Sequence, residues 1–186
     1  MNLNPRESGW IEVICGGMFS GKTEELIRRL RRAQIAKLKV AIFKPRLDTR
    51  YSNDHIVSHN QLKLQSHVVD TAKDILSTGK TADVIGIDEA QFFDSGIVDT
   101  CKALADLHKR VIVAGLDTDY KGQPFGPMPE LMCEADFLDK LQAICVVCGN
   151  PASYTQRITK DTGQILVGES DFYEARCRKC YEPPEN

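Results

Sequence analysis

A chain of 186 residues is long enough for one sizeable core with a small appended module and does not require two full domains. With 42% hydrophobic and 27% charged residues it is neither a disordered tail nor a fibrous repeat, and no apolar run approaches the ~20 residues of a membrane span. The net charge of -2 argues against bulk attraction to nucleic acid, and the polar start Met1-Asn2-Leu3-Asn4-Pro5-Arg6 lacks signal-peptide character, so a cytoplasmic protein is expected.

The first apolar run, Trp10 to Cys15, reads as a strand, and it feeds Gly16-Gly17-Met18-Phe19-Ser20-Gly21-Lys22-Thr23. That order of strand, glycine loop and helix makes G-x-x-x-x-G-K-[ST] a phosphate cradle. Glycines let successive N–H groups curl around an anion, the helix N-terminus adds partial positive charge, Lys22 reaches the terminal phosphates and the Thr23 hydroxyl can ligate Mg²⁺. Residues 22–38 carry Leu26, Ile27, Leu30 and Ala33 at helical spacing, and Lys39 to Lys44 reads as a buried strand stopped by Pro45. From Arg46 to Gln61 no period appears; this polar loop holds Asp48-Thr49-Arg50-Tyr51, His55 and His59, and a loop of that length points to function.

Leu64 to Val69 predicts a strand, Thr71 to Ser77 a short helix, and Asp83 to Ile87 a strand buried on both faces that ends in Asp88-Glu89. A helix over 97–107 and a strand over 110–115 follow, then a loop from Asp117 to Met128 with Tyr120 and Phe125. A short helix near 129–133 and a strand over 138–146 lead into Cys145-x-x-Cys148, and 153–158 with 164–168 alternate as a hairpin turning near Asp161-Thr162-Gly163. Alternating strands and helices predict an α/β fold, a doubly wound and mostly parallel sheet whose ligands gather at the strands' carboxyl ends. Residues 1–141 form the nucleotide-binding domain of this reading, and 142–186 a small zinc-ribbon-like one.

A carboxylate ending an apolar strand faces the phosphate loop and can hold Mg²⁺, which assigns Asp88. A carboxylate tied to metal is a poor proton acceptor, so Glu89 is read as the base that a hydroxyl attacking a γ-phosphoryl needs, against a merely structural role; side-chain alternation is expected to point it away from Asp88. Of seven cysteines, Cys145, Cys148, Cys177 and Cys180 form two C-x-x-C pairs separated by 28 residues, the pattern of a structural Cys₄ zinc site; a redox pair is the alternative. Phe92, Phe93, Tyr120, Phe125, Phe172 and Tyr173 lie in or beside loops where flat rings could stack on a nucleobase, and Met18 could line the same pocket.

Positive charge is concentrated after the phosphate loop: residues 22–50 hold ten Lys/Arg against Glu24, Glu25 and Asp48. Most of Arg28, Arg29, Arg31 and Arg32 are expected on a solvated helix face, with a minority near phosphate. Residues 142–186 hold five basic against six acidic residues, which leaves no cationic excess for a nucleic-acid backbone. Two rival readings are a P-loop switch protein, whose acceptor would be water, and a zinc-ribbon nucleic-acid binder.

The set GGMFSGKT, DTRY, DEAQFF, LDTDYKGQPFG and CVVC with CRKC resembles the type II, cytosolic-type thymidine kinases over nearly the whole chain. The resemblance implies that ATP and Mg²⁺ bind a P-loop α/β domain and that a zinc-bearing domain closes a lasso loop over thymine. It places Asp48 with Asp88 on the Mg²⁺ side, Arg50 near the phosphates, and Glu89 as general base toward the thymidine 5′-hydroxyl. It puts Met18, Phe92, Leu116, Tyr120, Phe125, Thr155, Gly168 and Tyr173 around the nucleoside, makes the four cysteines zinc ligands, and implies a homotetramer. The chain departs from the family's commoner residues at Gly17, Ala90, Tyr120 and, within the lasso, Glu169.

Overall fold

The computed structural model describes residues 8–46, 55–57, 63–159 and 172–184. Strand β1 (Trp10–Cys15) enters the glycine loop and is followed by α1 (Lys22–Ile35), β2 (Val40–Pro45) and a small antiparallel pair, β3 (His55–Val57) with β4 (Lys63–Gln65). β3 falls inside the segment expected to be loop throughout. Next come β5 (His67–Val69), α2 (Ala72–Gly79), β6 (Val84–Ile87), a 3-10 turn over Ala90–Phe92, α3 (Gly96–Asp106), β7 (Arg110–Gly115), α4 (Met128–Glu134) and β8 (Phe137–Lys140). The short strands β9 (Ala143–Ile144), β10 (Pro151–Ala152), β11 (Tyr154–Arg157) and β12 (Tyr173–Arg176) complete the described chain.

The main sheet runs β5-β2-β6-β7-β1-β8, with every pair parallel. Alternation divides the core between its faces. Val13 and Cys15 of β1, Ile85 and Ile87 of β6, and Val111 and Val113 of β7 pack with α3 residues such as Ile97 and Leu104. Ile14, Val84, Ile112 and Ala114 point the other way and meet Leu26, Ile27, Leu30 and Ala33 of α1. With Ile42 of β2 in the same cluster, one helix stripe covers four strands, and the loop between β1 and α1, which follows β1 directly, lies at the carboxyl end of the sheet.

One expectation is corrected here. The apolar run over 138–146 is not one strand: Leu141 N–H bonds Cys15 O at 2.8 Å, the chain leaves the main sheet, and Ala143–Ile144 pairs instead with Pro151–Ala152. Tyr154–Arg157 pairs antiparallel with Tyr173–Arg176, and the expected hairpin partner 164–168 lies outside the described residues. The correction has a simple cause, because local alternation specifies a strand and not its partner.

The basic helix face is also largely accounted for. Arg28 bonds Glu25 at 2.6 Å, Arg29 reaches Glu12, Glu25 and Asp139 at 2.7 Å each, and Arg31 and Arg32 are exposed. Glu12 is buried, and it also accepts from Arg110 at 2.6 Å and Trp10 Nε1 at 2.7 Å. Burial alone would raise the Glu12 carboxyl, but Arg110, Trp10 and Arg29 outweigh it and hold it below its ordinary 4.5. Its stabilising contribution is then complete above that value and is lost as the pH falls through the depressed one. Glu12→Ala is expected to cost about 3 kcal/mol of unfolding free energy, because it strands the Arg110 guanidinium in the core. Urea titration followed by circular dichroism measures this, and a loss under about 1 kcal/mol would show the cluster to be neutral.

Candidate active site

The glycine loop turns through three left-handed residues, Gly16 (φ 135), Phe19 (φ 64) and Gly21 (φ 84), the kind of backbone that lets loop N–H groups cradle an anion at a helix start. Gly21 is the helix N-cap, and a Cβ there would be both strained and 3.0 Å from Glu24 Oε2. Gly17 O accepts from Ser20 Oγ at 2.8 Å and from Lys22 Nζ at 2.7 Å, so the lysine ammonium lies against the loop it follows. Burial lowers the Lys22 pKa, while the Glu89 and Asp88 carboxylates act to raise it.

Asp88 follows β6, and β7 stands between that strand and β1. It nevertheless meets the first turn of α1, with Thr23 Oγ1 3.3 and 3.4 Å from its two oxygens. Burial, then the Glu89 charge, push the Asp88 carboxyl well above the usual carboxylate range. A buried carboxylate beside a hydroxyl, deprived of water and crowded by a second acid, is a hard-oxygen donor set that fits Mg²⁺.

Glu89 has a different partner from Asp88, but strand alternation is not the reason. β6 has ended, and Glu89 sits in the left-handed region (φ 54), an uncommon conformation for a side-chain-bearing residue. The 3-10 turn that follows brings the buried Gln91 Nε2 to 2.5 Å from Glu89 Oε2, while Gln91 Oε1 accepts the Leu116 N–H at 3.0 Å. No pattern in the sequence singled out Gln91; the available signal was an amide between the acid pair and an aromatic pair.

The aromatic expectations separate. Phe93 is a core residue. Phe92 is half-buried and meets Phe125 edge-on, ring centroids 5.4 Å apart, and Leu116 is half-buried at the end of β7. Tyr120 and Tyr173 are buried and share one cation: the Arg157 guanidinium lies 3.7 Å from the Tyr120 ring centre and donates to Tyr173 Oη at 2.5 Å. Thr155, one of the inward residues of β11, accepts the Met18 N–H at 3.0 Å and so ties the C-terminal strands to the phosphate loop. Tyr181 Oη donates to Tyr120 O at 2.7 Å, and its ring stacks on Tyr154 at 4.6 Å. Arg157 and Tyr181 carry no sequence signal of their own, being one cation in a mixed-charge segment and one tyrosine past the last cysteine. Asp48, Arg50 and Gly168 lie outside the described residues.

The four cysteine sulfurs lie within 4.8 Å of one another, Cys148 and Cys177 at 3.5 Å, with no disulfide among them. Tetrahedral zinc at ~2.3 Å from each sulfur needs edges near 3.8 Å, so the cluster fits the ion. Both pairs are turned alike: Gly149 N–H bonds Cys145 O at 2.9 Å and Tyr181 N–H bonds Cys177 O at 2.9 Å. Removal from water opposes ionisation of Cys145, yet the backbone N–H groups of Cys177, Cys148 and Val147 pull it down to about 6. Cys180, hydrogen-bonded to Cys148 and shielded from water, is pushed up to about 12. Four sulfurs this close cannot all be thiolates without a cation between them, and a bound metal removes that conflict.

Among the described residues, no helix is long and apolar enough to cross a membrane. Comparison with known proteins agrees with this geometry. The chain is 59% identical over 176 residues to a thymidine kinase of Rhodothermus sp. (strain ITI 518), covering 95% of this chain and 83% of that one. It is 54% identical over 176 residues to the thymidine kinase of Bacteroides thetaiotaomicron, covering 95% and 88%. The flagellar accessory protein FlaH of Methanocaldococcus jannaschii shares the fold alone, with a TM-score of 0.54 at 16% identity over 77% of this chain and 75% of that one. The family model described as thymidine kinase matches residues 9–181, and the chain belongs to that family.

Proposed function

We propose that the protein transfers the γ-phosphoryl group of ATP to the 5′-hydroxyl of thymidine, releasing thymidine monophosphate and ADP. What carries this reading is a pair of adjacent carboxylates with different surroundings beside one phosphate loop. Asp88 is bonded to Thr23, and Glu89, on left-handed backbone, is bonded to Gln91. Glu89 takes the 5′-hydroxyl proton, the nucleoside oxygen forms its bond to the γ-phosphorus, and the bond from that phosphorus to the bridging oxygen breaks as ADP leaves. Charge spreads over the transferring group, so catalysis is positioning plus electrostatics. Lys22 and the loop N–H groups supply cations and donors there, with Arg50 assigned beside them by family resemblance. Mg²⁺, when bound, neutralises phosphate charge, and Thr23, Asp88 and Asp48 are the residues that would hold it.

Met18, Phe92, Leu116, Tyr120, Phe125, Thr155, Gly168 and Tyr173 are assigned to the nucleoside. Zinc, when bound, supplies cross-linking and no chemistry, since four thiolates leave no open position. Residues 1–141 are proposed as the nucleotide domain and 142–186 as the zinc-bearing one, working in a cytoplasmic homotetramer as the family resemblance implies. Incubation with γ-labelled ATP and a panel of nucleosides tests the reaction. Label is expected on thymidine. Label appearing only as inorganic phosphate would make the protein an NTPase switch instead.

A further inference from the structure

The Gln91 carboxamide joins two parts of the site that are distant in sequence, the Glu89 carboxylate and the Leu116 backbone beyond β7. Its orientation is forced. The Leu116 N–H can only donate, so the amide oxygen must face it and the NH₂ group must face Glu89. Two glycines leave the necessary room. A Cβ at Gly115 would lie 2.9 Å from Gln91 Oε1, and one at Gly126, itself left-handed (φ 50), would lie 2.3 Å from the Gln91 carbonyl oxygen. A side chain at either position would displace Gln91.

Glu89 needs such a partner. Left-handed backbone frees it from the strand's two-way alternation, so nothing in β6 dictates where its carboxylate points. The bond from Gln91 occupies Oε2, and among the described residues Oε1 makes no hydrogen bond. One oxygen is thereby anchored and the other is open to a proton.

We propose that Gln91 is the positioning residue of the general base: it holds Glu89 Oε2 so that Oε1 meets the acceptor hydroxyl, and through Leu116 it sets the base in register with the carboxyl end of β7. The proposal rests on the reading of Glu89 as base. Gln91→Glu tests it, because the new carboxylate can still accept from Leu116 N–H but offers no donor to Glu89.

The expected result is a fall of about 10- to 100-fold in kcat, with KM for thymidine and ATP within about threefold, as for misplacement of a reacting group. In a Glu89→Gln background the same change is expected to add less than about threefold, because the two residues act as a unit. Gln91→Met, similar in length and without polar atoms, is read the same way should Gln91→Glu not fold. An unchanged kcat, a loss carried by KM, or an equal loss in both backgrounds overturns the positioning role. Normal turnover by Glu89→Gln alone would instead remove the base, and this proposal with it.

Discussion

Glu89→Gln is expected to cut thymidine phosphorylation by about 100-fold or more while ATP affinity stays within about threefold. The substitution keeps size and removes basicity. An amide can turn its oxygen to the Gln91 donor that now holds Glu89 Oε2, so the local fold has no reason to move. ATP is proposed to bind through the glycine loop, Lys22 and the Thr23–Asp88 pair; the Glu89 side chain acts on Lys22 and Asp88 through its charge, and its backbone N–H bonds Asp88 Oδ1 at 3.1 Å. That bond survives the change. Steady-state rates by coupled ADP detection, with calorimetric titration of ATP, separate the two quantities. Near-normal turnover would sink the assignment of the base.

The second large effect concerns the metal. Metal analysis is expected to find about one zinc per chain, and Cys177→Ser to abolish tight binding and unfold the segment around the cysteines. The physical reason is the poverty of its core. Among the described residues, the cluster that holds it together consists of Ala143, Cys145, Ala152, Ala175 and Cys177, with Phe19 and Cys180 partly buried against it. At about 0.8 kcal/mol per buried CH₂, three alanine methyls cannot offset the entropy of ordering these strands of two to four residues. Structural zinc contributes ~10–16 kcal/mol of apparent binding energy in comparable small modules.

Exchange protection over 143–159 and 172–181 should therefore collapse in Cys177→Ser while the main sheet stays protected. Thymidine phosphorylation should be lost with it, because the same strands carry Thr155, Arg157 and Tyr173 and because Tyr181 N–H bonds Cys177 O at 2.9 Å. Full zinc content with unchanged exchange would refute the structural role.

Much of this was legible in advance, and the division has physical causes. The glycine loop, the buried strands and the two cysteine pairs are local patterns whose spacing carries their meaning, and each appears where the spacing put it. Partner choice is not local. That β7 separates the Asp88 strand from β1, and that Tyr154–Arg157 pairs with Tyr173–Arg176, depends on which apolar surfaces meet in three dimensions. Nor is φ readable at Glu89, since glutamate gives no hint of left-handed backbone. Gln91 stayed unnoticed because a buried amide is legible only through its partners, one of them a backbone N–H. Arg28, Arg31 and Arg32 are exposed, as the solvated-face reading expected, but the buried Glu12 that recruits Arg29 and Arg110 gave no sign beyond its place in an apolar strand.

The position of β1 in the sheet has a consequence for how the protein is made. Trp10 lies opposite Arg110 and Glu12 opposite Phe137, so the strand that carries the phosphate loop has partners 100 and 125 residues further along the chain. During synthesis β1 leaves the ribosome long before either neighbour, as an apolar strand with both edges open. Parallel pairing over such separations is slow and exposes the intermediate to aggregation. The phosphate loop is translated early and its surroundings are completed late, and a nascent chain that stops short of β7 should lack the strand that joins β1 to the Asp88 strand.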